Sequence, residues 1–251
     1  MKKTIALSLC SLAALLAVQS LKAQVTIADW TFETPLSTNS IIGAGLTPAA
    51  TQSGVMADVG VGTGSASHAS STSAWSIPAG NGSPHSWSAN GWANGDYFQF
   101  SVSTLGLQNI NVSFDQTSSA TGPQTFGLFY SVNGGGYTQI GVNQVGGNMV
   151  SYPGNYTLIP NASPNPFWNA TTATNLYSFS SDLSSILGVN NAALVSFRLI
   201  DEAATGATAG TDRVDNFTVT GVAVPEPSIA ALTALGCATA LLAVRRRFGR
   251  H

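Results

Sequence analysis

Between residues 24 and 224 apolar side chains recur at every second position, and no stretch of comparable length repeats at the three-to-four spacing of a helix. That period restricts the segment to strands with one buried face. Ala28, Trp30 and Phe32 share a face, as do Phe98, Phe100 and Val102, and Ile110, Val112 and Phe114. Phe126, Leu128, Tyr130 and Val132 run into Asn133-Gly134-Gly135-Gly136, after which Tyr137 and Ile140 resume the apolar face, a hairpin signal. Val195, Phe197 and Leu199 predict one further strand, and Asp215, Phe217 and Val219 the last. Residues 34–94 and 141–175 fit less well, and structureless loops of that length are unusual in a compact domain. Short edge strands are therefore expected near Val55 to Val61 and Trp75 to Ile77, and Gly60, Gly62 and Gly64 are expected to form a flexible turn. The fold class is all-β, a single antiparallel β-sandwich.

Charge narrows what such a domain can do. Of nine Lys and Arg residues only Arg198 and Arg213 lie between residues 24 and 224, against ten acids, a net of −8 with no lysine. A surface of that sign cannot neutralise phosphates, which excludes nucleic acid as a partner. The two cysteines, Cys10 and Cys237, fall in the end segments, leaving the middle without disulfide, thiol nucleophile or zinc thiolate.

The ends read as addresses. Lys2 and Lys3, an apolar run from Ile5 to Val18, and a segment ending at Ala23 describe a secretory signal peptide over residues 1–23, cut before Gln24 by signal peptidase after use of the general secretion machinery. At the other end Pro225-Glu226-Pro227 precedes seventeen uncharged residues, Ser228 to Val244, and then Arg245-Arg246-Arg247. Seventeen residues make about 25 Å of helix, within the range of a membrane span. The arginines hold their side in the cytoplasm and place residues 24–222 outside the inner membrane. This order of parts over 223–251 resembles the PEP-CTERM sorting signal of Gram-negative bacteria. The resemblance implies recognition by an exosortase, transient anchoring by the C-terminal helix, and release or transfer of the body to the cell surface or an extracellular polysaccharide matrix.

Residues 95–220 resemble, by pattern, the jelly-roll modules of bacterial surface proteins, similar in architecture to carbohydrate-binding modules. The motifs of catalysis are mostly missing. His68 and His85 stand in no metal-ligand spacing, and no Gly-x-Ser-x-Gly elbow occurs. Asp201, Glu202, Asp212 and Asp215 form the one dense acidic group, and it admits three readings: Asp201, Glu202 and Asp212 as solvated loop flanks, a structural calcium site using the same oxygens, or a glycosidase pair. No other cofactor is expected. Asp215 shares strand parity with Phe217 and is expected to point inward and pair with Arg198 or Arg213. Trp75, Trp87 and Trp92, with His85 and Tyr97, are either core plugs or a saccharide-stacking surface. The functional expectation is an exported, non-catalytic structural or adhesive protein; the alternatives are a specific carbohydrate-binding module and a divergent polysaccharide hydrolase.

Overall fold

The computed structural model describes residues 23–33, 50–146, 150–203 and 209–224, of which Gln24–Val222 is one compact unit. The sorting-signal residues Pro225, Glu226, Pro227, Arg245, Arg246 and Arg247 lie outside the described residues, as does the signal segment up to residue 22. Among the described residues no helix is long and apolar enough to cross a membrane.

The alternating runs become strands. In chain order they are β1 (Gln24–Trp30), β2 (Thr51–Met56), β3 (Val59–Gly60), β4 (Gly62–Ser67), β5 (Trp75–Ser76) and β6 (Trp87–Asn90). There follow β7 (Tyr97–Val102), β8 (Leu107–Ser118), β9 (Thr125–Val132), β10 (Thr138–Ile140) and β11 (Val142–Gln144). The remainder are β12 (Ser151–Tyr152), β13 (Tyr156–Thr157), β14 (Ser178–Asp182), β15 (Val195–Asp201) and β16 (Thr211–Ala223). One sheet of nine strands runs β12-β11-β14-β8-β16-β1-β3, with β6 on the first part of β16 and β5 on β6. The other, of seven, runs β10-β9-β15-β7-β4-β2, with β13 on β9. Pairing within both sheets is antiparallel. Asn133 and Gly134 take φ values of 51° and 76°, the left-handed pair that a tight hairpin between β9 and β10 requires.

The core lies between the two sheets. Phe100 of β7 stacks on Phe217 of β16 with centroids 3.8 Å apart and planes 11° from parallel. Trp30 of β1 meets both rings edge-on, at 5.1 and 5.9 Å. Edge and offset contacts of this kind add about 0.5–1.5 kcal/mol per pair beyond the burial of the rings.

Here the flexible turn expected at Gly60, Gly62 and Gly64 is corrected. Gly62 opens β4 and Gly64 lies within it, and the strand sits between β2 and β7 in the seven-stranded sheet. Their smallness is dictated by a neighbour: a Cβ on Gly62 would stand 2.5 Å from the Trp30 ring, and one on Gly64 would stand 3.1 Å from Val55. The Trp30 indole also donates to the Val55 carbonyl at 3.2 Å, so the ring has no free direction in which to retreat. Gly62→Ala is therefore expected to destabilise the fold by about 1–3 kcal/mol in denaturant unfolding, the ordinary cost of overpacking. Relief of glycine's chain entropy alone would act in the opposite direction, so an unchanged or raised midpoint would contradict this packing.

Candidate functional site

The inward rows of the strands fix which side chains face solvent. Phe98, Phe100 and Val102 are buried, so Tyr97, Gln99 and Ser101 form the outer row of β7. In β15, Val195, Phe197 and Leu199 are buried and Arg198 points outward between β7 and β9, level with Gln99 on one side and Phe129 on the other. The β9–β10 hairpin brings Tyr137 back over this row. The Arg198 guanidinium carbon lies 3.7 Å from the Tyr97 ring centroid and 3.9 Å from that of Tyr137. Its Nε donates to Gln99 Oε1 at 2.9 Å, and the Tyr137 hydroxyl donates to the same oxygen at 2.8 Å. Partial burial raises the Tyr137 pKa, with Arg198 acting against it, so the phenol stays neutral and able to donate at neutral pH. Beside this stack the Ser101 and Ser196 hydroxyls share a hydrogen bond of 2.8 Å. Phe129 covers Gly127, where a Cβ would meet its ring at 2.6 Å. The result is a half-exposed surface of aromatic planes, hydroxyls, an amide and one cation.

Of the side chains expected to bind saccharide, only Tyr97 belongs to this surface. Trp75, Trp87 and Trp92 are at most 2% exposed, which corrects their reading as a stacking surface. Trp87 and Trp92 pack against Phe98 at 4.9 and 5.0 Å, and Trp92 also meets Phe126 at 5.4 Å. An indole in water forfeits more apolar burial than almost any other side chain, and a sandwich without disulfides uses that burial to close its end. His85 is separated from them. Its backbone amide donates to Glu33 Oε1 at 2.8 Å and its Nδ1 lies 3.2 Å from Glu33 Oε2.

The acidic group does not assemble as expected. Asp201 and Asp212 have no solvent exposure, so they are not solvated loop flanks. Asp201 points inward at the end of β15 and Glu202, the next residue of an extended chain, points to the other side. Among the described residues no group of three or more His, Cys, Asp or Glu side chains is placed to hold one metal ion, so the shared site for Asp201, Glu202 and Asp212 is not formed. Gln116 donates to Asp212 Oδ1 at 2.9 Å and the Ala203 amide to Asp201 Oδ1 at 2.9 Å, while Oδ2 of each is buried without a donor. Burial raises the pKa of both, well above the ordinary range for Asp212 and to about 6 for Asp201.

The expected ion pair of Asp215 is absent as well. Asn216 adopts φ 50°, which interrupts the alternation of β16 and takes Asp215 out of the row of Phe217 and Val219. Its carboxylate accepts from the Asn81 amide and the Ser83 hydroxyl, each at 2.8 Å, and from the Asn216 amide at 2.8 Å. Burial pushes its pKa up to about 7 despite these donors. His68 is enclosed between Trp75 and Trp92 at 4.6 and 4.2 Å, and burial lowers its pKa to about 4. Ser73 Oγ at 2.8 Å and Asp96 Oδ2 at 3.9 Å both address its Nδ1. A hydrolytic triad needs serine and carboxylate on opposite ring nitrogens, so this group serves packing.

No family model and no curated protein matches the chain. Among solved structures it is similar to the CBM22-1–GH10 modules of a Clostridium thermocellum endo-1,4-β-D-xylanase complexed with xylohexaose, at 10% identity and TM-score 0.36 over 61% of this chain and 25% of that one. The chain thus spans about a quarter of the length of those modules. It is similar to the K2 cleaved adhesin domain of Lys-gingipain at 13% identity and TM-score 0.36, over 78% of this chain and 97% of that one. It is also similar to a mannan-recognising carbohydrate-binding module at 9% identity and TM-score 0.30, over 79% and 98%. At these identities and scores the likeness transfers neither ligand nor activity.

The buried carboxylates set the pH dependence. Asp201, Asp212 and Asp215 hold protons more tightly folded than unfolded, so stability falls as pH rises from their unfolded value of 3.8 through the folded values of about 6 and 7. His68 acts oppositely, but only below its unfolded value of 6.5. Asp201→Asn is therefore expected to raise Tm by several degrees at about pH 8 and by much less at about pH 5. A gain that is equal at the two pH values would refute this assignment.

Proposed function

We propose that this chain is an exported, non-catalytic surface or matrix protein whose sandwich adheres to polysaccharide through the outer face of its seven-stranded sheet. The observation that carries this reading is the clamping of Arg198 between Tyr97 and Tyr137 beside Gln99, Ser101 and Ser196. Saccharide rings present apolar faces and equatorial hydroxyls, and a wall of aromatic planes, amides and hydroxyls held on rigid strands complements both. Because the stack is formed within the protein, little side-chain freedom remains to be lost on binding. A jelly-roll-like sandwich with this face outward gives the adhesive role a physical basis.

Export and processing rest on the resemblance of the two ends. Signal peptidase would cut before Gln24, and an exosortase would act at Pro225-Glu226-Pro227 while the helix before Arg245 holds the chain in the inner membrane. The hydrolase alternative requires two carboxyl groups in a cleft open to substrate. The inward carboxylates Asp201 and Asp212 have no solvent exposure, which favours the non-catalytic reading.

Affinity electrophoresis of the Gln24–Val222 unit through gels containing plant, algal or bacterial polysaccharides is the direct test. Retardation by at least one glycan, reduced about tenfold in affinity by Tyr137→Ala, is expected for loss of a stacking plane and its hydroxyl. Retardation untouched by Tyr137→Ala would place binding elsewhere. In the producing cell, Glu226→Ala is expected to leave the body at full length in the membrane fraction; release at normal size would refute the processing step.

A further inference from the structure

We infer that the outer face of the seven-stranded sheet selects acidic over neutral saccharide chains, with the Arg198 guanidinium receiving the carboxylate of a uronate residue. This deepens, and rests on, the reading of that face as a polysaccharide-binding surface.

The first support is the distribution of charge. Although residues 24–224 carry a net −8, the outward positions of β4, β7, β9 and β15 contain no acid, and Arg198 is the sole charge among them. Asp29, Asp115, Asp182, Asp212 and Asp215 all belong to strands of the other sheet. Asp96 and Asp201 are buried, and the Asp96 carboxylate accepts from the Ala69 and Ala93 amides at 2.7 Å each. Beyond the buried, inward Asp201, the nearest acid along the chain is Glu202 just past the end of β15, four residues from Arg198, or about 13 Å of extended chain. That separation exceeds the Debye length of about 8 Å at physiological ionic strength, so an incoming carboxylate is largely screened from it.

The second support is the state of Arg198 itself. Among the described residues it forms no ion pair with a carboxylate; its Nε is satisfied by the neutral Gln99 amide oxygen and its two faces by tyrosine rings. A guanidinium has five N–H donors in one plane, and the four on its terminal nitrogens form an edge suited to bidentate contact with a carboxylate. Stacking between two rings holds that plane without neutralising its charge, and a weakly hydrated guanidinium loses little solvation when an anion arrives. Gln99 and Ser101 then lie beside the carboxylate site, where the hydroxyls of the same sugar would fall, and the buried Ser196 hydroxyl holds that of Ser101 in place. Arg213, the other cation of the exported body, belongs to β16 of the opposite sheet, in contact with the field of Asp212, and cannot substitute.

Isothermal titration of the Gln24–Val222 unit with oligogalacturonate, and with the same oligomer after methyl esterification, separates the outcomes, because esterification removes the charge and keeps the backbone. A neutral mannan oligomer is the third probe. Oligogalacturonate is expected to bind about tenfold or more tightly than its methyl ester, as the loss of a charge-assisted fork requires. Arg198→Gln should abolish that preference, and Arg198→Lys should restore only part of it, with the far-ultraviolet dichroism of both variants unchanged. Equal affinity for acid and ester, or a preference that survives Arg198→Gln, would overturn the inference while leaving the saccharide-binding face standing. Absence of binding to all three probes and to the polysaccharide panel would overturn both.

Discussion

The contact on which the rest of the molecule depends is the stack of Phe100 on Phe217 across the two sheets, closed edge-on by Trp30. It fixes the separation and rotation of β7 against β16, and so settles the parity of every residue on those strands. Phe98 is drawn to the same side as Phe100 and provides the wall against which Trp87 and Trp92 pack. Tyr97, Gln99 and Ser101 are thereby turned outward. The proposed binding face is in this sense the reverse side of the core. The glycines of β4 belong to the same arrangement, because the indole of Trp30 occupies the volume in which a side chain at residue 62 would stand, and Val55, which accepts from that indole, crowds residue 64.

The same geometry distributes the acids. Strand ends are where an inward position meets the last layer of the core, and Asp201 and Asp212 occupy two such positions with one carboxylate oxygen each left without a donor. Their protonated forms are favoured by burial rather than by any catalytic arrangement; the Asp201 charge further raises the Asp212 pKa, and the charges of Asp96 and Glu202 raise that of Asp201. Asp115 and Asp215 do different work. Asn81 bridges them, donating to Asp115 Oδ2 through its side chain at 3.1 Å and to Asp215 Oδ2 through its backbone, which fastens the 78–86 segment to the nine-stranded sheet. These carboxylate networks belong to the nine-stranded sheet and its loops, and the outward positions of β4, β7, β9 and β15 in the seven-stranded sheet carry no acid.

Much of this was legible in the residues. Period-two alternation located β1, β7, β8, β9, β15 and β16, and Asn133-Gly134 located the hairpin, because those segments carry large apolar side chains whose period is set by burial. β4 was not legible: Gly-Thr-Gly-Ser-Ala-Ser has no hydrophobic period, and the need for small residues arises at Gly62 from Trp30, more than thirty residues earlier in the chain, and at Gly64 from Val55 on the neighbouring strand. Asp215 was misread because a single left-handed residue, Asn216, shifts parity without any signature beyond an asparagine. Tyr97 was singled out for this surface, but Arg198 is read from sequence as a partner of Asp215 and Tyr137 as part of the hairpin's apolar face, since their meeting depends on the register of β15 with β7 and on where the β9–β10 hairpin returns. The aromatic composition signalled a large aromatic core or a large aromatic surface, and only the packing partners of each tryptophan decide between them.

Tryptophan lies inside and tyrosine around Arg198 outside, a division that iodide quenching of intrinsic fluorescence reads out. All five tryptophans, Trp30, Trp75, Trp87, Trp92 and Trp168, are at most 4% exposed. A buried indole is out of reach of a hydrated anion, so the Gln24–Val222 unit is expected to show blue-shifted tryptophan emission with almost no iodide quenching until it is unfolded. Strong quenching of the folded unit, relieved by an added polysaccharide, would put tryptophan on a binding surface and contradict this division.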